Sequence, residues 1–288
     1  MLHAMRENQR GEESVGSAMF RFYAELNDFL SPSAGGRERI FRFCTNQSVK
    51  AAIEGFGVPH TEVDLILVNG TSVDFHYQVA DHDRISVYPV FKSLDITGKV
   101  RVRESPPRDI RFVLDANLGK LARWLRLLGF DSLYRNDFED AELAGISERE
   151  KRVLLTRDRR VLHHKRVTHG YWVRSDQPDL QIIEVLRRFQ IEAMIRTFSR
   201  CLECNGRIHA VPKSTVLHRL EPKTKTHYQD FSRCGECGKV YWRGTHYDRL
   251  LDKLKRVVAA EAMPEPSVAP ARRVASGSSA GDNPLGGG

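Results

Sequence analysis

The first third of the chain has the alternating apolar and polar residues that are typical of short strands. This alternation predicts four strands, over residues 19–25, 39–43, 63–68 and 85–90. Between the second and the third, Ser48 is a suitable N-cap for a helix that Gly57 would end. Asn69 and Gly70 follow the third strand, and this dipeptide is typical of a hairpin turn. The order of these elements predicts a small α+β domain of the β-grasp type.

The middle of the chain changes to apolar runs that alternate with amphipathic helices. Three apolar runs predict buried strands, over residues 112–114, 152–156 and 170–173. After the first run, apolar residues share one face of a helix, and these are Leu118, Leu121, Ala122, Leu125 and Leu128. Gly129 would end this helix, Asp140 could cap a short helix, and Pro178 lies in the first turn of another. Because strands alternate with helices, this region predicts an α/β domain with a parallel sheet.

These patterns divide the chain into six predicted segments. They are a disordered lead (1–16), the β-grasp domain (17–96), a polar linker (97–109), the α/β domain (110–190), a cysteine-containing unit (191–258) and a disordered tail (259–288). No run approaches the roughly 18 apolar residues of a membrane span, and the N-terminus lacks the apolar core of a secretory signal. We therefore expect a cytoplasmic protein without a membrane partner, in which paired cysteines bind metal more often than they form disulfides.

Positive charge is concentrated in the second half of the chain. The formal net charge is +8, yet residues 1–110 contain 13 Lys/Arg against 15 Asp/Glu, whereas residues 191–260 contain 14 against 7. Cations that face phosphates release counterions, so this distribution favours a polyanionic partner for the C-terminal two-thirds. The alternative is that these charges belong to ordinary solvated faces.

Two carboxylates directly follow predicted buried strands, Asp115 after the first and Asp158 after the second. The carboxyl ends of parallel strands share one edge of a sheet, where ligands of open α/β sheets bind. Two aspartates at one place repel each other unless a cation lies between them, and Mg²⁺ and Mn²⁺ suit carboxylate ligands. The pattern predicts a metal site there, although either residue alone could belong to a turn.

Other polar residues near these strands are weaker candidates. Asp140 could be a third metal ligand or only a helix cap. Asp176 follows the third predicted strand and could be catalytic, or it or Ser175 could cap the next helix. Asn117 could orient a water molecule or a phosphate. Three cations could bind RNA phosphates or could belong to a solvated helix face, and these are Lys120, Arg123 and Arg157.

The cysteines of the C-terminal unit form two Cys-x-x-Cys pairs, CLEC and CGEC, and the pairs are separated by 29 residues. The predicted ligands are Cys201, Cys204, Cys234 and Cys237. This spacing is typical of a zinc ribbon, and four thiolates form a closed tetrahedral site, so we expect a structural zinc ion. Two disulfides are the alternative. Arg243 lies beside Tyr241 and Trp242, which could stack on RNA bases or could form the small core of the ribbon itself.

The run GVPHTEVDLILVNG, followed by DHDRISVYPVF, resembles the ubiquitin-like domains related to bacterial sulfur-carrier proteins. Sulfur carriers act through a terminal Gly-Gly, but here the domain continues from Ile96 into the linker. Residues 286–288 are glycines, but we interpret them as part of the separate low-complexity tail. The alternative is that they serve as a site of conjugation. The resemblance therefore implies a docking module for a protein partner.

The motifs DANLGKLARWLRLLG, DFEDAELAG and LLTRD resemble the PIN-like RNase domain of the mutator-seven C-terminal type. The resemblance covers residues 110–250 and includes a zinc ribbon, and bacterial members have the ubiquitin-like domain in front. It implies a three-layer α/β fold with Asp115, Asp140 and Asp158 as ligands of Mg²⁺ or Mn²⁺. The implied activity is hydrolysis of RNA phosphodiester bonds, with the basic ribbon and Arg243 helping to bind RNA.

Two other functions fit parts of the same pattern. The first is a non-catalytic adaptor that binds RNA or ribosomes and retains the PIN-like fold. The second is a toxin-like nuclease, but such toxins are usually short chains of one domain. The additional domains of this chain argue against the toxin.

Overall fold

The computed structural model describes residues 16–31, 38–90, 102, 109–244 and 252. The predicted lead and tail lie outside these residues, apart from Gly16, as do most of the predicted linker and the end of the cysteine-containing unit. Among the described helices, none has both the length and the apolar composition that crossing a lipid bilayer requires.

The N-terminal domain is a five-stranded sheet that packs on one helix. Its elements are β1 (Gly16–Phe22), β2 (Arg39–Phe43), α1 (Val49–Gly55), β3 (Leu65–Val68), β4 (Thr71–Val73) and β5 (Arg84–Tyr88). The strand order is β2-β1-β5-β3-β4, in which β1 and β5 are parallel and the other pairs are antiparallel. Phe20, Phe22 and Ile53 are fully buried between the sheet and α1. This arrangement is the predicted β-grasp fold.

The turns of this domain follow from the local sequence. The Ser48 hydroxyl accepts a hydrogen bond from Ala51 N at 3.2 Å and so caps α1, as predicted. Asn69 and Gly70 have φ values of 51° and 88°, which a two-residue hairpin between β3 and β4 requires. The first strand was predicted to extend to residue 25, but it ends at Phe22 because the chain turns there into a 3₁₀ helix.

The second domain is a sheet of four parallel strands with helices on both faces. The strands are β6 (Phe112–Leu114), β7 (Ser132–Tyr134), β8 (Val153–Thr156) and β9 (Gly170–Trp172), in the order β7-β6-β8-β9. Helices α2 (Gly119–Leu127) and α4 (Pro178–Phe189) contribute to one core cluster, and α3 (Asp140–Glu150) contributes to the other. Phe112 and Leu114 belong to the first cluster and Val113 to the second, because successive strand residues point to opposite faces. The predicted three-layer α/β fold is confirmed.

Two helix starts and one strand differ from the prediction. Asp140 is the first residue of α3 and not its N-cap, which is Glu139, and this helix is longer than expected. The N-cap of α4 is Gln177 and not Ser175 or Asp176, although the Ser175 hydroxyl accepts from Gln177 N at 3.1 Å. Strand β7 was not predicted, because its three residues are too few to form a recognisable alternation.

The C-terminal unit is a small antiparallel sheet built around the cysteine pairs. Its elements are β10 (Ile208–Val211), α5 (Pro222–His227), β11 (Phe231–Cys234) and β12 (Val240–Trp242), with β11 in the centre of the sheet. Val216, Leu220 and Phe231 form its small apolar core, and Trp242 packs against them. A core of this size is a reason to expect an additional constraint such as a bound metal.

Gly129 is the glycine whose replacement should have the largest effect on this fold. Its φ is +93°, and a Cβ atom there would lie 2.2 Å from Arg196 O. We expect Gly129→Ala to lower the free energy of unfolding by about 2 kcal/mol or more, through backbone strain and this clash. Gly55→Ala is the matched control, because an added Cβ there meets nothing within 4 Å. Urea unfolding of both variants checks the prediction, and equal midpoints would contradict it.

Candidate active site and metal centre

The two aspartates that follow buried strands meet at the point where the parallel sheet reverses its strand order. From β6 the chain adds β7 on one side and then β8 on the other, so the switch point lies between β6 and β8. Asp115 directly follows β6, and Asp158 lies two residues beyond β8. Crevices at such switch points bind ligands in open α/β sheets.

Thr156 joins the two aspartates. Its hydroxyl donates to Asp115 Oδ2 at 2.8 Å and accepts from Asp158 N at 2.8 Å. The backbone of Asp115 is fixed as well, because Asp115 N donates to Leu155 O at 3.0 Å. Two acidic residues are therefore held on adjacent strands through one threonine at the end of β8.

The Asp115 carboxylate lacks the compensation that a buried charge needs. Asp115 is buried, and within the described part of the chain its carboxylate receives one side-chain hydrogen bond and no ion pair. Isolated buried carboxylates are costly unless they are paired with a cation or coordinate a metal ion. The site therefore has the chemistry of a cation ligand.

Asp158 is partnered differently, by an arginine two residues further along the chain. Arg160 Nη2 lies 2.7 Å from Asp158 Oδ2, and the Arg160 backbone N–H also donates to this carboxylate. The hydrogen bond from Arg160 lowers the pKa of Asp158 below its ordinary value. Asp158 and, more weakly, Asp140 raise the pKa of Arg160 above its ordinary value.

The remaining acidic and amide candidates are exposed. Asp140 is exposed at the start of α3, Asp176 in the turn before α4, and Asn117 in the 3₁₀ turn after Asp115. In the described residues, no group of three or more acidic or histidine side chains is close enough to hold a metal ion, and the four cysteines are the only such group. Asp115 and Asp158 are therefore the acidic candidates that the structure links, through Thr156, whereas the other three candidates are exposed.

The four basic candidates do not form one patch. Lys120 is exposed in the first turn of α2, whereas Arg123 pairs with Glu203 of the C-terminal unit at 3.0 Å. Arg157 Nη1 donates to the carbonyl oxygens of Arg174 and Ser175. Arg243 is exposed, with its guanidinium carbon 5.9 Å from the centre of the Phe198 ring.

The four cysteines form a compact tetrad. Their sulfur atoms all lie within 4.8 Å of one another, with 3.5 Å between Cys201 and Cys237 and 3.4 Å between Cys204 and Cys234. Tetrahedral zinc with Zn–S bonds of about 2.3 Å would separate the sulfurs by about 3.8 Å, so the tetrad fits this ion. The turn after each pair contains a residue with positive φ, Asn205 at 68° and Gly238 at 73°.

The surroundings of the thiols favour a bound cation. Burial alone would raise the pKa of Cys201, but the N–H of Cys204 and the hydroxyl of Tyr241 outweigh it and lower this pKa to about 6. Burial and the neighbouring sulfur atoms raise the pKa of Cys204 to about 12. Without a cation the tetrad cannot hold four thiolates at neutral pH, because the negative charges repel each other.

The two ribbon aromatics have structural contacts. The Tyr241 hydroxyl is 3.0 Å from Cys201 Sγ and accepts from Leu202 N at 3.1 Å. Trp242 packs on Phe231 in the small core, with 6.3 Å between the ring centres. Of the two readings of these rings, the structure therefore favours the core of the ribbon.

A buried polar network attaches the ribbon to the α/β domain. Arg126 Nη1 donates to the carbonyl oxygens of Leu202 and Glu203, at 3.1 and 2.8 Å, and burial lowers the pKa of its guanidinium. Asp131 accepts hydrogen bonds from Arg152, Arg200 and Asn205, at 2.7, 3.1 and 2.8 Å. The first cysteine knuckle is thereby fixed against β7.

Sequence reasoning missed Thr156 and Arg126. Thr156 is the polar last residue of an apolar strand. This position was the available signal, because it lies at the same edge of the sheet as Asp158. The apolar face that predicts α2 does not include Arg126, but this residue is buried. Its position four residues after Ala122 was the available signal, because such residues lie on one side of a helix.

Comparison with protein families matches both domains in their chain order. Residues 110–254 match the family model described as the Mut7-C RNAse domain. Residues 15–95 match the family model described as Mut7-C ubiquitin. No significant match was found among curated proteins or among solved structures.

We expect the protein purified under reducing conditions to contain one zinc ion per chain, because the tetrad fits tetrahedral zinc. Cys237→Ser should lose this zinc and lower the melting temperature of the ribbon, whereas Cys44→Ser, a change of an exposed cysteine, should affect neither. Elemental analysis and thermal unfolding measure both effects. Protein that contains no zinc would contradict the prediction.

The same site should bind zinc more weakly as the pH falls. Because the pKa of Cys204 is raised to about 12, zinc must displace its proton, and each fall in pH favours the protonated thiol. Competition with a chromophoric chelator across the neutral range measures this slope. An affinity independent of pH would show that the thiols are already ionised.

Asp131→Asn should loosen the attachment of the ribbon. The change removes the negative charge that Arg152 and Arg200 share, and we expect a loss of about 2 kcal/mol in the free energy of unfolding. Asp137→Asn is the control, because Asp137 pairs with Arg135 on the surface and should contribute little. Urea unfolding compares the two variants. A similar midpoint for both would show that the network does not stabilise the fold.

Proposed function

Because the chain belongs to the Mut7-C RNAse domain family, a ribonuclease family, we propose that it hydrolyses RNA phosphodiester bonds at a centre formed by Asp115 and Asp158. The observation that carries this assignment is the buried Asp115 carboxylate, which has no cationic partner among the described residues and is linked to Asp158 through Thr156 at the switch point of the sheet. Family membership supports the activity, and the residues of the centre are our assignment.

The donor set of this centre suits Mg²⁺ or Mn²⁺, because both ions prefer carboxylate and water ligands. Asp115 and Asp158 would hold the ion. The exposed Asp140 would have to move toward them from the start of α3 to join as a third ligand, because in the described residues the three carboxylates do not form a group that could hold an ion. A divalent ion in such a site lowers the pKa of bound water and stabilises charge on phosphate oxygens. The Thr156 hydroxyl links the Asp115 carboxylate to the backbone of Asp158.

Arg160 has a defined part in this proposal. It neutralises Asp158 when no cation is present, and its side chain is 87% exposed, so it can leave the carboxylate at low cost. Lys120 and Arg157 flank the same edge of the sheet and would hold phosphates of the RNA. Asn117 would orient water or phosphate. Asp176 would not be a ligand of the ion but could contact the substrate from the turn before α4.

In this proposal the cysteine tetrad is a structural zinc site and has no part in hydrolysis. The ribbon would add affinity for RNA through Arg243 and the neighbouring basic residues. Single-stranded RNA is the partner that its charge favours. We further propose that the protein acts in the cytoplasm.

A second function has one observation in its favour. Asp158 is paired with Arg160, and in the described residues the acidic side chains do not form a ready metal cage. A non-catalytic adaptor that binds RNA through the same fold would have no need of such a cage. The adaptor and the ribonuclease differ in whether the aspartates are required for RNA cleavage.

We expect purified protein to degrade end-labelled RNA in the presence of Mn²⁺ or Mg²⁺, and Asp115→Asn and Asp158→Asn to lower kcat at least about a hundredfold. Both changes remove a negative charge from the proposed ion site and keep the size of the side chain. Asp230→Asn is the control, because Asp230 is exposed on the ribbon and is not one of the proposed ligands. Gel analysis of the products also distinguishes shortening from one end from internal cuts.

Two results would contradict the assignment in different ways. Cleavage by Asp115→Asn and Asp158→Asn at the wild-type rate would place the centre elsewhere. Binding of RNA by the wild-type protein without any metal-dependent cleavage would favour the adaptor.

A further inference from the structure

The ubiquitin-like domain packs against β9, the edge strand of the parallel sheet. Glu62 is fully buried, and its Oε1 accepts a hydrogen bond from Trp172 N at 2.7 Å. His60 Nε2 lies 2.9 Å from Val167 O, so two side chains of one 3₁₀ turn bind backbone groups of the α/β domain. This junction is specific, because Glu62 satisfies an outward N–H of the edge strand and His60 binds a carbonyl of the loop before it.

Arg174, two residues beyond β9, is the charged centre of the junction. Its Nε donates to Asp28 Oδ2 at 2.9 Å, and its Nη2 lies 3.7 Å from Glu62 Oε2. Burial alone would lower the pKa of Arg174, but Glu62 and Asp28 raise it above the ordinary arginine value, so the guanidinium stays charged. Two carboxylates of the ubiquitin-like domain thus fix the chain directly after β9.

The junction continues to both neighbours of Asp158 in the sequence. Arg157 donates to the carbonyl oxygens of Arg174 and Ser175. The guanidinium carbon of Arg159 lies 3.7 Å from the centre of the Trp172 ring and 5.2 Å from that of Phe29. Phe29 belongs to the ubiquitin-like domain and packs on Trp172, with 5.1 Å between the ring centres.

We infer that the ubiquitin-like domain positions the Asp158 loop, with Phe29 and Glu62 as positioning residues that act through Arg159 and Arg174. Asp158 lies between two arginines that are both anchored at the junction, so its backbone depends on the docked domain. This inference rests on the proposed function for its effect on catalysis. It adds to the expected role of the ubiquitin-like domain as a docking module a second role within the chain, which is to position a loop of the nuclease site.

The chemistry of Arg159 separates positioning from phosphate binding. An arginine guanidinium is planar and stacks on aromatic rings, whereas a lysine ammonium keeps the charge without the stacking surface. Arg159→Lys should therefore disturb the Asp158 loop as Arg159→Ala does. If Arg159 served only to attract RNA, the lysine variant would behave as the wild type.

The first test measures amide hydrogen exchange of residues 156–160 in the full-length zinc-bound chain. We expect Phe29→Ala, Glu62→Gln and Arg159→Lys to raise the exchange rate in this segment at least about tenfold. Ile40→Ala is the control, because Ile40 is 66% exposed on β2, which pairs in the sheet with β1 alone. Unchanged exchange in the three junction variants would overturn the inference. Exchange in the core strand β6 reports whether each variant is folded.

The second test measures RNA cleavage by the same variants. A misplaced metal ligand affects the reaction more than it affects binding, so kcat should fall about tenfold to a hundredfold with little change in KM. Arg159→Lys with wild-type kcat, together with Arg159→Ala with only a raised KM, would show that Arg159 binds phosphate, and would overturn the inference.

Failure of the proposed function would look different from failure of the inference. If wild-type protein and Asp158→Asn degrade RNA equally, the acidic centre is wrong, and the exchange experiment alone decides whether the junction positions the loop. If wild-type protein is active and Asp158→Asn is not, while the junction variants retain both kcat and exchange rate, the centre stands and the positioning role is wrong.

Discussion

A parallel sheet of four short strands has two edges whose outward backbone groups need partners, and the arrangement of the whole chain depends on how these are satisfied. On β7, the Asn205 side chain accepts from Ser132 N at 2.9 Å, and Arg126 donates to Ser132 O at 3.0 Å. On β9, Glu62 accepts from Trp172 N at 2.7 Å. At each edge, polar side chains therefore bind outward backbone groups of the strand, and these side chains belong to the neighbouring ribbon or ubiquitin-like domain or also contact it. The ribbon is attached at one edge and the ubiquitin-like domain at the other.

The acidic residue that follows the inner strand β6 differs from those at the edges of the sheet. The carboxylates that attach the flanking units are neutralised where they lie, since Asp131 pairs with Arg152 and Glu62 lies near Arg174. Asp115 differs from them, because within the described residues only the Thr156 hydroxyl donates to its carboxylate. A buried carboxylate that several cations and donors contact is stabilised by them. A buried carboxylate with one neutral donor is stabilised only if a further ligand, such as a cation, binds to it. The contrast supports the switch point as the reactive part of the molecule.

Local patterns were sufficient to predict most of the elements and the outline of the site. Ser48, the Asn69-Gly70 turn and the apolar stripe of α2 each act within a few residues, so the sequence predicted the capped helix, the hairpin and the helix after β6. Asp115 and Asp158 were predicted together, because residues that follow parallel strands meet at one edge of the sheet.

What the sequence did not reveal depends on partners far away in the chain. Glu62 and Trp172 are 110 positions apart, and Arg126 and Leu202 are 76 apart, so no periodicity links them. Strand β7 has only three residues and is recognisable only beside β6. The pairing of Asp158 with Arg160 is local, but whether an exposed arginine turns toward a carboxylate depends on the three-dimensional surroundings.

Because the ubiquitin-like domain packs on β9, only part of its surface is available to other proteins. Its face with Asp28, Phe29, His60 and Glu62 is occupied by the α/β domain. A protein partner that used this face would have to separate a fully buried carboxylate from a half-buried arginine, which leaves both charges without compensation. While the domain is docked, a partner must therefore bind to its remaining surface. The negative charge balance of the first 110 residues is in part the complement of Arg174 within the same chain.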